Sequence, residues 1–345
     1  MTFDLPLTEP AGIFSVVLLI ILVAPFAAEK LRMPGIIGLA LAGILVGPHG
    51  LGLISDSETI EFLGSIGLIY VFFLAGAELD VGQLRRERRS TLVFTAFTLL
   101  LPFAVGFASG RMLFGLGTAS AVLFGCLFSS YTLVAYPIVS KLGISRERSV
   151  ATAVSSVILT DTATMIVLAA VARYARGGDD PGSWAILAAS ILAWATLSAF
   201  LLPRAAALFF KKVQPDGTIE FVFIFALAFA CAFASRLAGL EPIIGAFYAG
   251  LLLNRFIPQS GVLMNRIKFM GDSLFVPFFM VYIGVIAAPG DVFGDLGHLA
   301  VAVAMVALNL ASKWLAAGGA ALVLKYTGLE RTMLFGLSVS HAAAV

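Results

Sequence analysis

The chain has 345 residues, of which 60% are apolar and only 12% charged, with a formal net charge of +2 and a mean hydropathy of +1.02. A water-covered surface takes roughly a quarter of all residues as charges, so half that share excludes a soluble globular protein and points to an integral membrane protein. The near-neutral balance gives no electrostatic footprint for nucleic acid, and the two cysteines, Cys126 and Cys231, lie inside apolar stretches and imply no disulfide framework.

Taken in chain order, twelve apolar segments are predicted as helices: 12–29, 34–50, 59–78, 91–110, 116–141, 148–173, 183–203, 218–236, 241–257, 269–289, 297–325 and 331–345. Most have the length of about 17 to 25 residues that crosses the hydrocarbon. The first has no basic residue before it and no small-residue cleavage site after it, so it reads as a retained helix and not a signal peptide. Segment five carries Ser129-Ser130-Tyr131-Thr132-Leu133-Val134-Ala135-Tyr136-Pro137. Pro137 removes the donor that would bond to the Leu133 carbonyl, so the sequence predicts a helix broken within the membrane, or else an ordinary proline kink. A break is tolerated only where protein or a cavity re-satisfies the backbone. Its freed carbonyls and the hydroxyls of Ser130 and Thr132 are hard oxygen ligands suited to an alkali cation. Segment six places Asp161 near its centre, where a carboxylate costs roughly 2.5 to 3.5 kcal/mol on insertion scales. Such a residue reads as an ion or proton site, the bland alternative being a permanent ion pair. Segment eleven holds Lys313, the one basic residue at comparable depth, as a static partner of Asp161 or a titrating participant. Segment twelve ends on Ser338, Ser340 and His341, the expected second broken helix. Glu78, Asp80, Glu241 and Asp272 sit near interfaces and read as structural; His49 and His298 lie at loop edges.

Assigning Lys and Arg to alternating sides gives seventeen on one side against four on the other, with Lys313 on neither. By the positive-inside rule the rich side, with Arg85 to Arg89, is cytoplasmic and the amino terminus is outside. An internal repeat adds to this. Ile36-Ile37-Gly38 with Ala42-Gly43 returns as Ile243-Ile244-Gly245 with Ala249-Gly250, 207 residues later; Phe72-Phe73 returns as Phe278-Phe279 after 206, and Leu123-Phe124-Gly125 as Leu334-Phe335-Gly336 after 211. Segments two and nine are separated by an odd number of crossings, so the duplicated units are inverted, the architecture of secondary transporters with a midplane site. The repeat implies a partner for segment six beyond Val345, hence thirteen helices in an intact domain and a further carboxyl-terminal, cytoplasmic regulatory region.

These residues together resemble the monovalent cation/proton antiporter superfamily, in its branch of bacterial sodium/proton exchangers and potassium efflux systems. The resemblance rests on Phe72-Phe73-Leu74-Ala75-Gly76-Ala77-Glu78-Leu79-Asp80, Ser129-Ser130, the central Asp161, Ile244-Gly245-Ala246-Phe247-Tyr248-Ala249-Gly250-Leu251-Leu252, and Phe275-Val276-Pro277-Phe278-Phe279-Met280-Val281-Tyr282-Ile283-Gly284. It implies an all-α polytopic antiporter fold with two crossing broken helices. Scaffold and dimerisation helices would occupy 1–90 and 216–290, core helices 91–175 and 291–345, and a linker helix 176–215. It also implies a homodimer through helices 1–3 and 8–10 in the plasma membrane. The position before the aspartate is Thr160, where charge-moving members carry a second acid, and Tyr131 stands at the usual threonine of the break. Lys313 matches the core basic residue.

The expectation is a secondary transporter, not an enzyme, exchanging Na⁺ or K⁺ for H⁺ at one carboxylate by an elevator-type mechanism, electroneutral because Thr160 supplies no anionic partner for Lys313. Its ion and proton set would be Asp161, Thr160, Thr132, Ser130 and Tyr131, with no cofactor, and its surroundings the lipid bilayer. Burial penalises the bare carboxylate, so a proton competes with the metal cation for it. An organic-anion or bile-acid-type carrier is the rival, disfavoured because Asp161 would repel an anion. An aspartyl enzyme would need two carboxylates sharing a proton.

Overall fold

In the computed structural model the described residues are 6–7, 9–55, 58–78, 87–131, 139, 142–144, 147–175, 181–212, 217–258, 261–288, 290 and 296–339. Among them the chain forms twelve α-helices: α1 (Pro10–Lys30), α2 (Gly35–Val46), α3 (Glu58–Glu78), α4 (Arg88–Met112), α5 (Thr118–Ser129), α6 (Arg148–Ala175), α7 (Pro181–Lys212), α8 (Thr218–Leu237), α9 (Pro242–Leu253), α10 (Val262–Ile286), α11 (Leu296–Leu324) and α12 (Gly328–Val339). Eight are long and apolar enough to cross a membrane, while α2 and α5 are shorter apolar helices. Large apolar side chains face outward: Leu19, Leu22 and Phe26 on α1 are each about 60% exposed or more. In water such a stripe would aggregate, and in hydrocarbon it is the solvated face.

Two helices run well beyond the expected segments. α7 runs nine residues past the end of its apolar stretch, because Arg204 lays its guanidinium over the Phe200 ring at 3.2 Å and donates to the Phe200 carbonyl, so the charge is carried on the helix surface. α10 begins about two turns early, at Val262, and widens into a π-turn at Gly271–Phe275. Pro277 lacks the N–H that would bond one turn back, which accounts for the irregular turn before it. There Tyr70 donates to the Ile267 carbonyl at 2.7 Å and stacks on Phe275 at 4.3 Å.

The chain divides into two compact units, Met1–Glu78 with Ser190–His298, and Leu79–Ala189 with Leu299–Val345. The first contains α1–α3, most of α7, and α8–α10. Its helices meet through glycines, as expected where lipid removes the hydrophobic drive and close packing must supply contact. A Cβ on Gly43 of α2 would collide with the Val281 carbonyl of α10, and one on Gly284 would come within 2.8 Å of the Gly43 Cα. α3 and α9 repeat this: a Cβ on Gly250 would strike the Phe73 carbonyl, and one on Gly76 would lie 3.2 Å from the Gly250 Cα. The corresponding glycines of the two crossings are 207 and 208 residues apart in the chain.

The second unit contains α4, α5, α6, α11 and α12. Glu87, just before α4, accepts from Arg148 Nε and Ser90 Oγ, both at 2.9 Å, tying the start of α4 to the start of α6. Burial favours the neutral Glu87 carboxyl, but these hydrogen bonds outweigh it and hold the carboxyl below its ordinary range. Deeper in, Thr95 Oγ1 of α4 donates to Ser156 Oγ of α6 at 2.9 Å.

Candidate functional site

The site lies within the second unit, where α5 stops in the middle of an apolar stretch. The last helical residue is Ser129, and Ser130 is extended, with φ −59° and ψ 149°. This is earlier than the turn around Leu133 that the proline suggested; Leu133 and Pro137 themselves lie outside the described residues. Ending a helix in hydrocarbon strands carbonyls at its carboxyl end, the negative pole of its dipole.

Lys313 of α11 resolves that problem. It is fully buried, and its Nζ donates to the Ser129 carbonyl at 2.6 Å and to the Ser130 carbonyl at 3.3 Å. A cation at a helix carboxyl terminus is favourable on both counts, as donor and as charge. The carbonyls read from the sequence as cation ligands are, at these two residues, occupied by the lysine. Asp161 of α6 stands on the other side of the same residue: Ser130 Oγ donates to its Oδ1 at 2.9 Å, and the Tyr131 backbone N–H also faces the carboxylate. Asp161 is 8% exposed. Among the described residues it forms no direct salt bridge with Lys313; Ser130 holds one charge by its hydroxyl and the other by its carbonyl.

The other expected ligands are distributed differently. The Thr160 hydroxyl donates to the Ser156 carbonyl on its own helix at 2.9 Å, the usual back-bond of a helical threonine, and neighbouring helical positions point about 100° apart. The Tyr131 hydroxyl donates to the Ala153 carbonyl at 3.0 Å, two turns before Asp161, within reach of the hydroxyls of Thr98, Ser156 and Thr160. Neither hydroxyl joins Ser130 at the carboxylate. The Tyr131 ring lies 4.7 Å from Lys313 Nζ. Thr132, Ser340 and His341 fall outside the described residues.

Five participants went unseen in the sequence, two carbonyls and three hydroxyls. The carbonyls of Ser129 and Ala153 belong to the backbone and leave no signature. The buried hydroxyls of Thr95, Thr98 and Ser156 did leave one, since Thr91, Thr95 and Thr98 on α4, and Ser149, Thr152, Ser156 and Thr160 on α6, recur at helical spacing as polar stripes. Among the described residues no group of three His, Cys, Asp or Glu could hold a tightly bound metal, whereas one carboxylate and a hydroxyl suit a transiently held monovalent cation or a proton.

The family described as sodium/hydrogen exchanger, transmembrane, matches residues 16–345. The Na⁺/H⁺ antiporter NhaS5 of Synechocystis is 34% identical over 339 residues, covering 98% of this chain and 48% of its own length. The chain thus spans about half of that relative. The Na⁺/H⁺-K⁺ antiporter GerN of Bacillus cereus is 27% identical over 74% of this chain and 66% of its own. Among solved structures, the sodium proton antiporter MjNhaP1 from Methanocaldococcus jannaschii at pH 8 matches with a TM-score of 0.73 at 15% identity, over 96% of this chain and 84% of that one, a likeness of fold.

Proposed function

The chain belongs to the sodium/hydrogen exchanger family, and from that membership we propose that it exchanges a monovalent cation, Na⁺ or K⁺, for H⁺ across a membrane, with Asp161 as the site both ions share. The observation that carries this reading is the 2.9 Å hydrogen bond from Ser130 to a buried carboxylate that, among the described residues, no lysine pairs with directly. One carboxylate accepts either a proton or a cation, and its bare form is the costly one in hydrocarbon. Exchange follows because the site crosses the low-dielectric barrier loaded with one ion or the other and poorly when empty. The names of the antiporters NhaS5 and GerN support Na⁺ and K⁺ as cargo.

Lys313 acts as a fixed positive charge that neutralises the end of α5, so one H⁺ moves against one cation and no net charge crosses. The unit of α4–α6, α11 and α12 carries the site by elevator-type movement. The unit of α1–α3 and α8–α10 is the scaffold through which two copies dimerise, with the basic loops on the cytoplasmic side. The two glycine crossings at equivalent spacing support a duplicated, inverted origin for these helices.

The test is dissipation of a pH gradient in proteoliposomes titrated with Na⁺, K⁺ and Li⁺. The native protein collapses the gradient with Na⁺ or K⁺, and Asp161→Asn does not. Cation-driven proton movement surviving in Asp161→Asn would remove the central claim.

A further inference from the structure

Tyr131 occupies the first described position after the break, and its hydroxyl is turned away from the carboxylate onto the Ala153 carbonyl of α6 at 3.0 Å. The ring is fully buried, so packing on all sides fixes its plane with or without that bond. Across one face of the ring, at 4.7 Å from its centroid, stands the Lys313 ammonium. We infer that Tyr131 is a positioning residue whose ring keeps Lys313 protonated through the transport cycle and so sets the charge carried per turnover. The inference rests on the reading of Asp161 as the exchange site beside a fixed lysine charge.

The argument is one of donors and acceptors. An ammonium has three N–H donors and no lone pair. Two of them reach the Ser129 and Ser130 carbonyls, and the remaining positive edge faces the negative face of the ring, an attraction available to a cation alone. A neutral amine in the same place would turn a lone pair toward either a carbonyl oxygen or a π face, and both repel it. The two hydroxyls at the break are engaged elsewhere, Ser129 Oγ on the Leu99 carbonyl and Ser130 Oγ on Asp161, both at 2.9 Å. The Ser312 hydroxyl on the same helix is committed to the Asn309 carbonyl at 2.8 Å, and Arg331 of α12 stacks on Trp314, the next residue along. Among the described residues, the titratable groups that face Lys313 are Asp161 from α6 and Tyr131 itself. Two carbonyls and an aromatic face therefore form a three-sided cage that favours the charged form against the cost of burying it.

The experiment compares the native protein with Tyr131→Phe and Tyr131→trifluorophenylalanine, which share ring size but differ in the negative charge on the ring face. Na⁺-driven exchange is timed in proteoliposomes under a valinomycin-set potential of either sign. The native and Phe proteins run at the same rate under both signs, and the trifluoro variant runs several-fold faster under one. Proton release on Na⁺ binding to detergent-solubilised protein gives the same count without transport: about one proton per Na⁺ for the native and Phe proteins, about two for the trifluoro variant. A trifluoro variant that stays insensitive to voltage, or still releases about one proton, overturns the role of the ring. A native protein already driven by voltage overturns instead the fixed charge on Lys313, and with it the electroneutral reading of the site.

Discussion

Replacing Lys313 by methionine and Asp161 by asparagine separates the two ways a buried lysine and aspartate can coexist. If the two charges were a direct ion pair, removing either would strand the other, at about 3 to 5 kcal/mol for each single change, and removing both would restore stability. The arrangement around Ser130 predicts asymmetry. Lys313→Met fills the space with an apolar stem but leaves the Ser129 and Ser130 carbonyls, held at 2.6 and 3.3 Å, without their donor. Two orphaned buried acceptors at about 1 to 3 kcal/mol each amount to about 2 to 6 kcal/mol. Asp161→Asn keeps an acceptor for Ser130 Oγ at 2.9 Å and leaves the lysine cage untouched, so it costs about 1 kcal/mol, the difference between a hydrogen bond to a charged and to a neutral acceptor. Unfolding in mixed micelles, followed by circular dichroism at constant pH, ranks the two variants and the double variant. Equal losses in the single variants, recovered in the double, would refute the cage and establish a direct pair.

The remaining predictions concern packing and the membrane edge. Gly43→Ala and Gly250→Ala each drive a Cβ into a facing carbonyl and should cost about 1 to 3 kcal/mol, while Gly336→Ala, inside α12 with nothing within 4 Å, should be neutral or mildly stabilising; the same unfolding assay decides. Because the folded Glu87 carboxyl is held below its ordinary range, its contribution is present at neutral pH and is lost as pH falls through that lowered value. Glu87→Gln should therefore flatten the acid limb of the stability profile, by no more than about 1 kcal/mol and less at high salt, since Arg148 is half exposed. Thr95→Val removes the cross-helix bond to Ser156 and should lower the unfolding free energy by about 1 kcal/mol.

Much of the fold was legible because in a membrane the hydropathy pattern is the structure: backbone groups must be satisfied within each segment, so α1, α3, α6, α8 and α11 begin and end within a few residues of the apolar runs. The pattern failed where a charge rides on a helix surface, as Arg204 does on α7, and where a proline disturbs the turn before it, as Pro277 does on α10. Asp161 and Lys313 were visible as residues, since a charge deep in an apolar segment has no cheap explanation, and Ser130 because it sits at the expected break. Their mutual arrangement was not. An aspartate and a lysine in a sparse list of buried charges suggest a pair, whereas each is bonded to a different side of Ser130, and the lysine's partners are carbonyls that every residue possesses. Tyr131 was misdirected for a related reason: its hydroxyl suggested a ligand, but the length of the ring carries that hydroxyl past the site to Ala153.

The same geometry distinguishes two hydroxyls that the sequence ranks alike. Ser130 and Thr160 flank the carboxylate, one across the break and one in the adjacent helical position, and both are buried. Ser130 donates to Asp161 itself, so Ser130→Ala removes a hydrogen bond that favours the bare carboxylate over its protonated form, worth about 1.5 to 3 kcal/mol; at fixed pH the proton then competes better, and the Na⁺ concentration for half-maximal exchange should rise by roughly 10-fold or more. Thr160 spends its proton on the Ser156 carbonyl and turns its oxygen toward the Tyr131 phenol. Thr160→Val preserves the branched shape in the helix and should lower stability by about 1 kcal/mol while moving the Na⁺ requirement by less than about twofold. Both variants are measured in one proteoliposome series at fixed pH, with the Na⁺ titration giving the half-maximal concentration and the plateau the maximal rate. A Thr160→Val variant that loses Na⁺ affinity as severely as Ser130→Ala would mean that the Thr160 oxygen rotates onto the cation during transport, and the site would then have to be redrawn with two hydroxyl ligands instead of one.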